Sequence, residues 1–263
     1  MNRIEETFKQ LRSQGRKALI IFVTAGYPSL DFTEKLIQEM SKLGVDVFEL
    51  GIPFSDPIAD GPIIQESSYQ ALLKGTTLRK VLKLTKRLRS KIQTPICFMT
   101  YYNPVFVFGI ENFLRQAVVS GVDGLIIPDL PYEEAKYIRD AAKKYQIKII
   151  SFIAPTTDLR RCKEICSTAE GFIYYISITG TTGMSHISKA QVACHIQQIK
   201  RLTHVPVCVG FGISDPEQAK KLSQVADGVI VGSAIIKKIK ENINSKNCLE
   251  KVLNFVKLLR KSV

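Results

Sequence analysis

The feature that most constrains this chain is an eightfold alternation of short apolar runs with helical patterns. The runs cover residues 18–24, 45–50, 95–101, 124–128, 148–154, 172–177, 206–210 and 228–233. Each is apolar almost without interruption, as expected of strands covered on both faces of a parallel sheet. The stretches between them place apolar residues at helical spacing. Thus Asp31 is positioned to cap a helix running through Lys42, with Leu36, Ile37, Met40 and Leu43 turned inward. Further helices are expected over 3–13, 66–73, 78–91, near 111–119, and over 132–145, 158–168, 188–202, 214–225, 234–241 and 248–261. Parallel strands need such crossovers. A length of 263 residues suits a (β/α)₈ barrel, and no Pro/Gly-rich linker divides the chain. The expected fold class is therefore α/β: one (β/α)₈ TIM barrel domain over residues 1–263, with extra N-terminal and C-terminal helices. The even spacing of eight strands favours closure over an open doubly wound sheet. A weak internal echo agrees: Gly44-Val45-Asp46, Gly121-Val122-Asp123 and Ala226-Asp227-Gly228 each join a helix end to a strand.

Composition narrows the function. Lysine and arginine number 37 against 24 acidic residues, a net charge of +13. The cations are not interleaved with aromatics as in single-strand nucleic-acid binders. They fall on helices, as in Arg79, Lys80, Lys83, Lys86, Arg87 and Arg89, which reads as solvated helix faces rather than a nucleic-acid site. The excess would still favour an anionic substrate. No stretch approaches the ~20 apolar residues of a membrane helix. The first 17 residues carry acids and lack the apolar centre of a secretion signal. No membrane role and a cytoplasmic location are expected, or the plastid stroma for a plastid-encoded product. The six cysteines are scattered without CxxC spacing, so no metal site is expected.

In a barrel the chemistry sits at the C-terminal ends of the strands. The stretch Phe48–Pro62, FELGIPFSDPIADGP, lies there. Its prolines and glycines end the second strand near Leu50 and impose a shaped loop. Glu49, at the end of that strand, and Asp60, eleven residues on, form a candidate carboxylate pair. Phe22, Tyr101, Asp129, and Tyr174 or Tyr175 fall on the same face. Glycine-rich segments follow the last three strands: Gly180–Gly183, Gly210–Gly212 and Gly232-Ser233. Glycine lets backbone N–H groups approach a phosphate, and Ser233 opens a helix whose N-terminus favours an anion. No lysine is placed at a strand end as a Schiff-base aldolase would require. His186, His195 and His204 lie in loop or helix positions with a structural reading. The residues thus describe a metal-free barrel enzyme acting on a small phosphorylated substrate through paired carboxyl groups.

The segment FELGIPFSDPIADGPIIQ closely resembles the signature of the tryptophan synthase alpha subunit family. The resemblance spans the chain in order, through IFVTAGYPS, MTYYNPVF, GLIIPDLPYEE, IAPTT, GFIYYIS, GTTG, GFGIS and VGSAI. It implies a lyase of L-tryptophan biosynthesis that cleaves indole-3-glycerol phosphate to indole and D-glyceraldehyde 3-phosphate. It implies no cofactor in this chain, and a beta-subunit partner carrying pyridoxal phosphate in an α2β2 heterotetramer. It assigns catalysis to Glu49 and Asp60, and substrate contacts to Phe22, Tyr101, Asp129, Tyr174 and Thr182. Gly183, Gly212, Gly232 and Ser233 match the phosphate cradle, and Tyr175 is the substitute for Tyr174 if the match slips by one. The family often carries an arginine where Ile178-Thr179 stand here. The alternative is a subunit of weak activity that mainly binds and activates the beta subunit.

Overall fold

The computed structural model describes residues 2–176, 189–210 and 212–263. Its nine strand segments are β1 (Ala18–Thr24), β2 (Val47–Gly51), β3 (Ile96–Met99), β4 (Gly124–Ile126), β5 (Lys148–Ile149), β6 (Ser151–Ile153), β7 (Ile173–Ile176), β8 (Val207–Gly210) and β9 (Gly228–Val231). All neighbours pair in parallel, in the order β5-β4-β3-β2-β1-β9-β8-β7-β6. The outermost segments, β5 and β6, are two pieces of one run, interrupted only at Ile150. The Ile150 N–H still donates to Leu125 O at 2.9 Å, so this run joins β4 on one side and β7 on the other. The sheet is therefore an eight-position barrel, as the alternation requires.

Twelve helices are assigned among the described residues: α1 (Arg3–Ser13), α2 (Leu30–Lys42), α3 (Pro62–Leu73), α4 (Leu78–Arg89), α5 (Tyr102–Phe108), α6 (Ile110–Ser120), α7 (Lys136–Lys144), α8 (Leu159–Thr168), α9 (Lys189–Leu202), α10 (Pro216–Ser223), α11 (Ser233–Asn242) and α12 (Cys248–Ser262). Several boundaries correct the sequence reading. Ser29, not Asp31, caps α2, accepting the Phe32 N–H at 3.1 Å. Asp215, not Ser214, caps α10. Helix α3 begins at Pro62, four residues early, because proline suits the first helical position. Helix α7 begins only at Lys136. Helix α5 was hidden by Asn103-Pro104, which reads as a break. Pro104 sits in its first turn, where a missing N–H costs no helical bond. The cap expected at Ser188 lies outside the described residues.

Two shells of core follow from the strand alternation. Phe48 and Leu50 of β2 face outward into the layer shared with the helices. Val47 faces inward with Ile20, Cys97, Ile126, Ile150, Phe172, Cys208 and Ile230. Helix α1 closes the N-terminal end of the barrel by adding Ile4, Phe8 and Leu11 to that inner cluster, with Phe8 5.9 Å from Phe172 between ring centroids. The other end stays open for chemistry.

The internal echo has a structural role at the closed end. Asp46, Asp123 and Asp227 each exchange two hydrogen bonds with the start of the preceding strand in the sheet. Their carboxylates accept the N–H groups of Leu19, Ile96 and Val207 at 2.7, 2.8 and 3.0 Å. Their own N–H groups donate to the carbonyls of the same three residues at 2.9, 2.9 and 2.8 Å. Cations complete each unit: Arg260 on Asp46, Arg3 and Arg89 on Asp123, and Lys200 on Asp227.

Candidate active site

Inward parity on β2 carries Glu49 into the open end of the barrel, beside Phe22 in the neighbouring strand. Its side chain is fully buried, and neither carboxyl oxygen has a hydrogen-bond partner among the described residues. Burial without compensation disfavours the charged form and pushes its pKa up to about 8. A buried carboxyl with nothing to satisfy it is costly for stability, and such groups concentrate where chemistry needs them.

Asp60 lies in the turn before α3. Its Oδ2 accepts the Tyr101 hydroxyl at 3.0 Å, while Oδ1 is buried without a partner among the described residues. Burial raises its pKa to about 6, and the Tyr101 bond opposes that rise. The Tyr101 oxygen in turn accepts the Ala59 N–H at 3.0 Å, and the Phe54 ring stacks on the Tyr101 ring at 5.2 Å. Tyr101 thus fixes the loop that carries Asp60.

Both carboxyl groups line one cavity of about 280 Å³. The same cavity brings together Phe22, Tyr174, Gly212, Gly232 and Ser233, all singled out from the sequence. Tyr101 reaches it through Asp60. Asp129 lies outside its lining: both carboxylate oxygens accept the Tyr102 N–H, at 2.9 and 3.1 Å, at the start of α5. It lines a neighbouring cavity of about 450 Å³ that shares Met99 and Tyr174 with the first. Thr182 and Gly183 lie outside the described residues. Strand alternation decides between the tyrosines. Tyr174 faces the interior, whereas Tyr175 points to the helices, its hydroxyl 3.1 Å from His195 Nδ1. His195 Nε2 also lies 3.7 Å from Cys162 Sγ, a proximity that sequence spacing does not reveal. No group of three His, Cys, Asp or Glu side chains suited to a metal ion occurs among the described residues.

The glycines have specific reasons. A Cβ at Gly210 would lie 2.5 Å from the Tyr174 hydroxyl, so only glycine lets that ring lie across β8. Gly212 adopts φ +75°, a left-handed conformation that glycine takes without strain. Gly232 caps α11 without any side-chain hydrogen bond, leaving the first backbone N–H groups of that helix for an anion. The apolar walls Met99, Ile64 and Ile230 were not identified from sequence. For Met99 the period-2 alternation from inward-facing Cys97 would have sufficed.

A buried and a partly buried carboxyl group that share a cavity with Gly212, Gly232 and Ser233, at the C-terminal end of a parallel barrel, define an acid–base barrel enzyme. The family profile described as "Tryptophan synthase alpha chain" matches residues 8–263. The tryptophan synthase alpha chain of Geotalea uraniireducens is 46% identical over 263 residues, covering 100% of this chain and 98% of that one. Its counterpart from Thermoanaerobacter pseudethanolicus is 43% identical over 260 residues, covering 99% of both chains. The crystal structure of tryptophan synthase subunit alpha from Legionella pneumophila superposes with a TM-score of 0.93 at 36% identity, covering 100% of this chain and 98% of that one. The chain belongs to the tryptophan synthase alpha chain family.

Proposed function

We propose that Glu49 and Asp60 divide the acid–base work of the alpha reaction, the retro-aldol cleavage of indole-3-glycerol phosphate to indole and D-glyceraldehyde 3-phosphate. The observation that carries this assignment is the Glu49 carboxyl, buried, unpartnered and facing the same cavity as Asp60.

The steps balance on these two groups. Protonated Glu49 delivers its proton to the indole carbon that bears the side chain, leaving an indolenine-like cation. Ionised Asp60 accepts the indole N–H and stabilises the positive charge that develops there. The Glu49 carboxylate then takes the proton of the neighbouring hydroxyl as its oxygen forms the aldehyde. The carbon–carbon bond breaks, and its electron pair neutralises the ring. Glu49 ends protonated, ready for the next turnover. A pKa near 8 suits a group that must give and recover a proton at neutral pH. Phe22, Tyr174, Met99 and Ile230 supply apolar walls for the indole, and Gly212, Gly232 and Ser233 hold the phosphate with Gly183. Thr182 is assigned a contact with the substrate.

The partner is a beta subunit in an α2β2 complex, with pyridoxal phosphate in that subunit and no cofactor required here. Three large apolar side chains support a docking face beside the site: Ile58 is 81% exposed, Phe106 63% and Val107 76%. Exposed apolar clusters of this kind mark interaction surfaces. No described helix is long and apolar enough to cross a membrane; the cytoplasm, or a plastid stroma, is the proposed location.

The test is indole release from indole-3-glycerol phosphate by the purified chain, with and without a beta subunit. Release that rises when the partner is added supports both the reaction and the pairing. A folded chain that releases none in either condition leaves the alternative, a subunit that only binds and activates its partner.

A further inference from the structure

A third cavity, of about 340 Å³, shares Ile63, Gly212, Ile213 and Ser233 with the substrate cavity. Its remaining wall includes Lys237, Lys238, Glu241 and Phe255. Ser233 and Lys237 are four residues apart on α11 and so lie on one helix face. Lys238 Nζ stands 5.9 Å from the centre of the Phe255 ring and 3.5 Å from Glu241. Lys237 lies 3.9 Å from the same carboxylate. Two cations share one anion, so this wall keeps a net positive charge.

The described lining of the substrate cavity holds no such charge. Among the described residues lining it, the ionisable groups are Glu49, Asp60 and Tyr174, and none is cationic. Ionised Asp60 repels a phosphate dianion. Backbone N–H groups can hold the phosphate once it has arrived, but they give little long-range attraction. The cations that border the cradle stand on the other side of Gly212 and Ser233.

We propose that the side cavity is the entry and selection site for the phosphate end of the substrate, with Lys237 and Lys238 as its specificity-determining residues. This rests on the phosphate cradle described under the proposed function. The two lysines raise the local concentration of the dianion and favour a phosphorylated side chain over an unphosphorylated one. They act on capture, before the carbon–carbon bond is touched.

The test uses the full chain with its beta subunit and compares wild type, Lys237→Gln/Lys238→Gln and Glu241→Gln. At low ionic strength each cation removed should cost about fourfold in kcat/KM, the order expected for a unit charge within about 10 Å of a phosphate dianion across water. The double variant should thus fall about sixteenfold with kcat unchanged, and Glu241→Gln should rise about fourfold. Near 1 M salt, where screening acts within ~3 Å, the differences should vanish. Unchanged kcat/KM in the double variant, or a loss that persists at high salt, would overturn the proposal. A second readout is independent of turnover: inorganic phosphate should raise the Tm of wild type more than that of the double variant. Equal shifts would contradict the proposal even if wild type released no indole, an outcome that would instead remove the proposed reaction.

Discussion

Tyr101 donates its hydroxyl to one oxygen of Asp60 at 3.0 Å, and among the described residues this is the sole hydrogen bond to any carboxyl oxygen of the Glu49–Asp60 pair. The two acids are therefore set apart by environment. Glu49 has only burial, which holds its proton; Asp60 has burial opposed by a hydrogen bond that favours its ionised form. At neutral pH one carboxyl group is ready to give a proton and the other to carry charge.

Removing the Tyr101 hydroxyl should narrow that separation. In Tyr101→Phe, Asp60 loses the bond that lowers its pKa, so ionisation moves to higher pH. Hydrogen bonds to charged groups contribute roughly 1.5–3 kcal/mol, so kcat/KM near pH 6.5 should fall about tenfold or more. The acidic limb of the pH profile should shift upward. An unchanged acidic limb would show that Tyr101 does not set the charge on Asp60.

The same pair fixes the pH window. The proposed mechanism needs Asp60 ionised and Glu49 protonated, so kcat/KM should rise through about pH 6 and fall through about pH 8. Stability carries the second signature. The folded Glu49 pKa stands above its unfolded value of 4.5, so folded chains retain a proton that unfolded chains release. The stabilising share of that proton is full below pH 4.5 and is lost as pH rises through 8, a change of roughly 5 kcal/mol. Glu49→Gln cannot titrate. Denaturant unfolding between pH 5 and 8 should show wild type losing stability relative to that variant; parallel curves would contradict the burial argument.

At the closed end of the barrel, Asp123 is a structural counterpart to these acids. It is buried like Glu49 but fully partnered, by the Ile96 N–H, Arg3 and Arg89. Asp123→Ala strands a half-buried guanidinium and a backbone donor, and should cost about 3–5 kcal/mol. Urea unfolding measures that loss. The kcat of the folded fraction should be unchanged, because the site lies at the other end of the strands.

Much of this was legible in the sequence for physical reasons. Continuous apolar runs such as 18–24 and 206–210 can only be buried on both faces, and their number and spacing gave the closed barrel. Glu49 stood out as a carboxyl at the end of such a run, followed by a loop that prolines force into shape. What the sequence hid depends on contacts across space. Asp129 reads as a strand-end acid, yet its carboxylate is taken by the Tyr102 N–H. Pro104 reads as a breaker, yet it opens a helix. The choice between Tyr174 and Tyr175 needed the strand register, which a one-residue slip would invert.

The proposed role of Glu49 in moving the protons of the cleavage is decided by indole release from Glu49→Gln in the presence of the beta subunit, with binding of indole-3-glycerol phosphate measured alongside. The variant should fold, bind the substrate at near wild-type affinity and release indole at least 10³-fold more slowly, a loss at the scale of a general acid–base group. Turnover within a few-fold of wild type would contradict it and remove Glu49 from the mechanism.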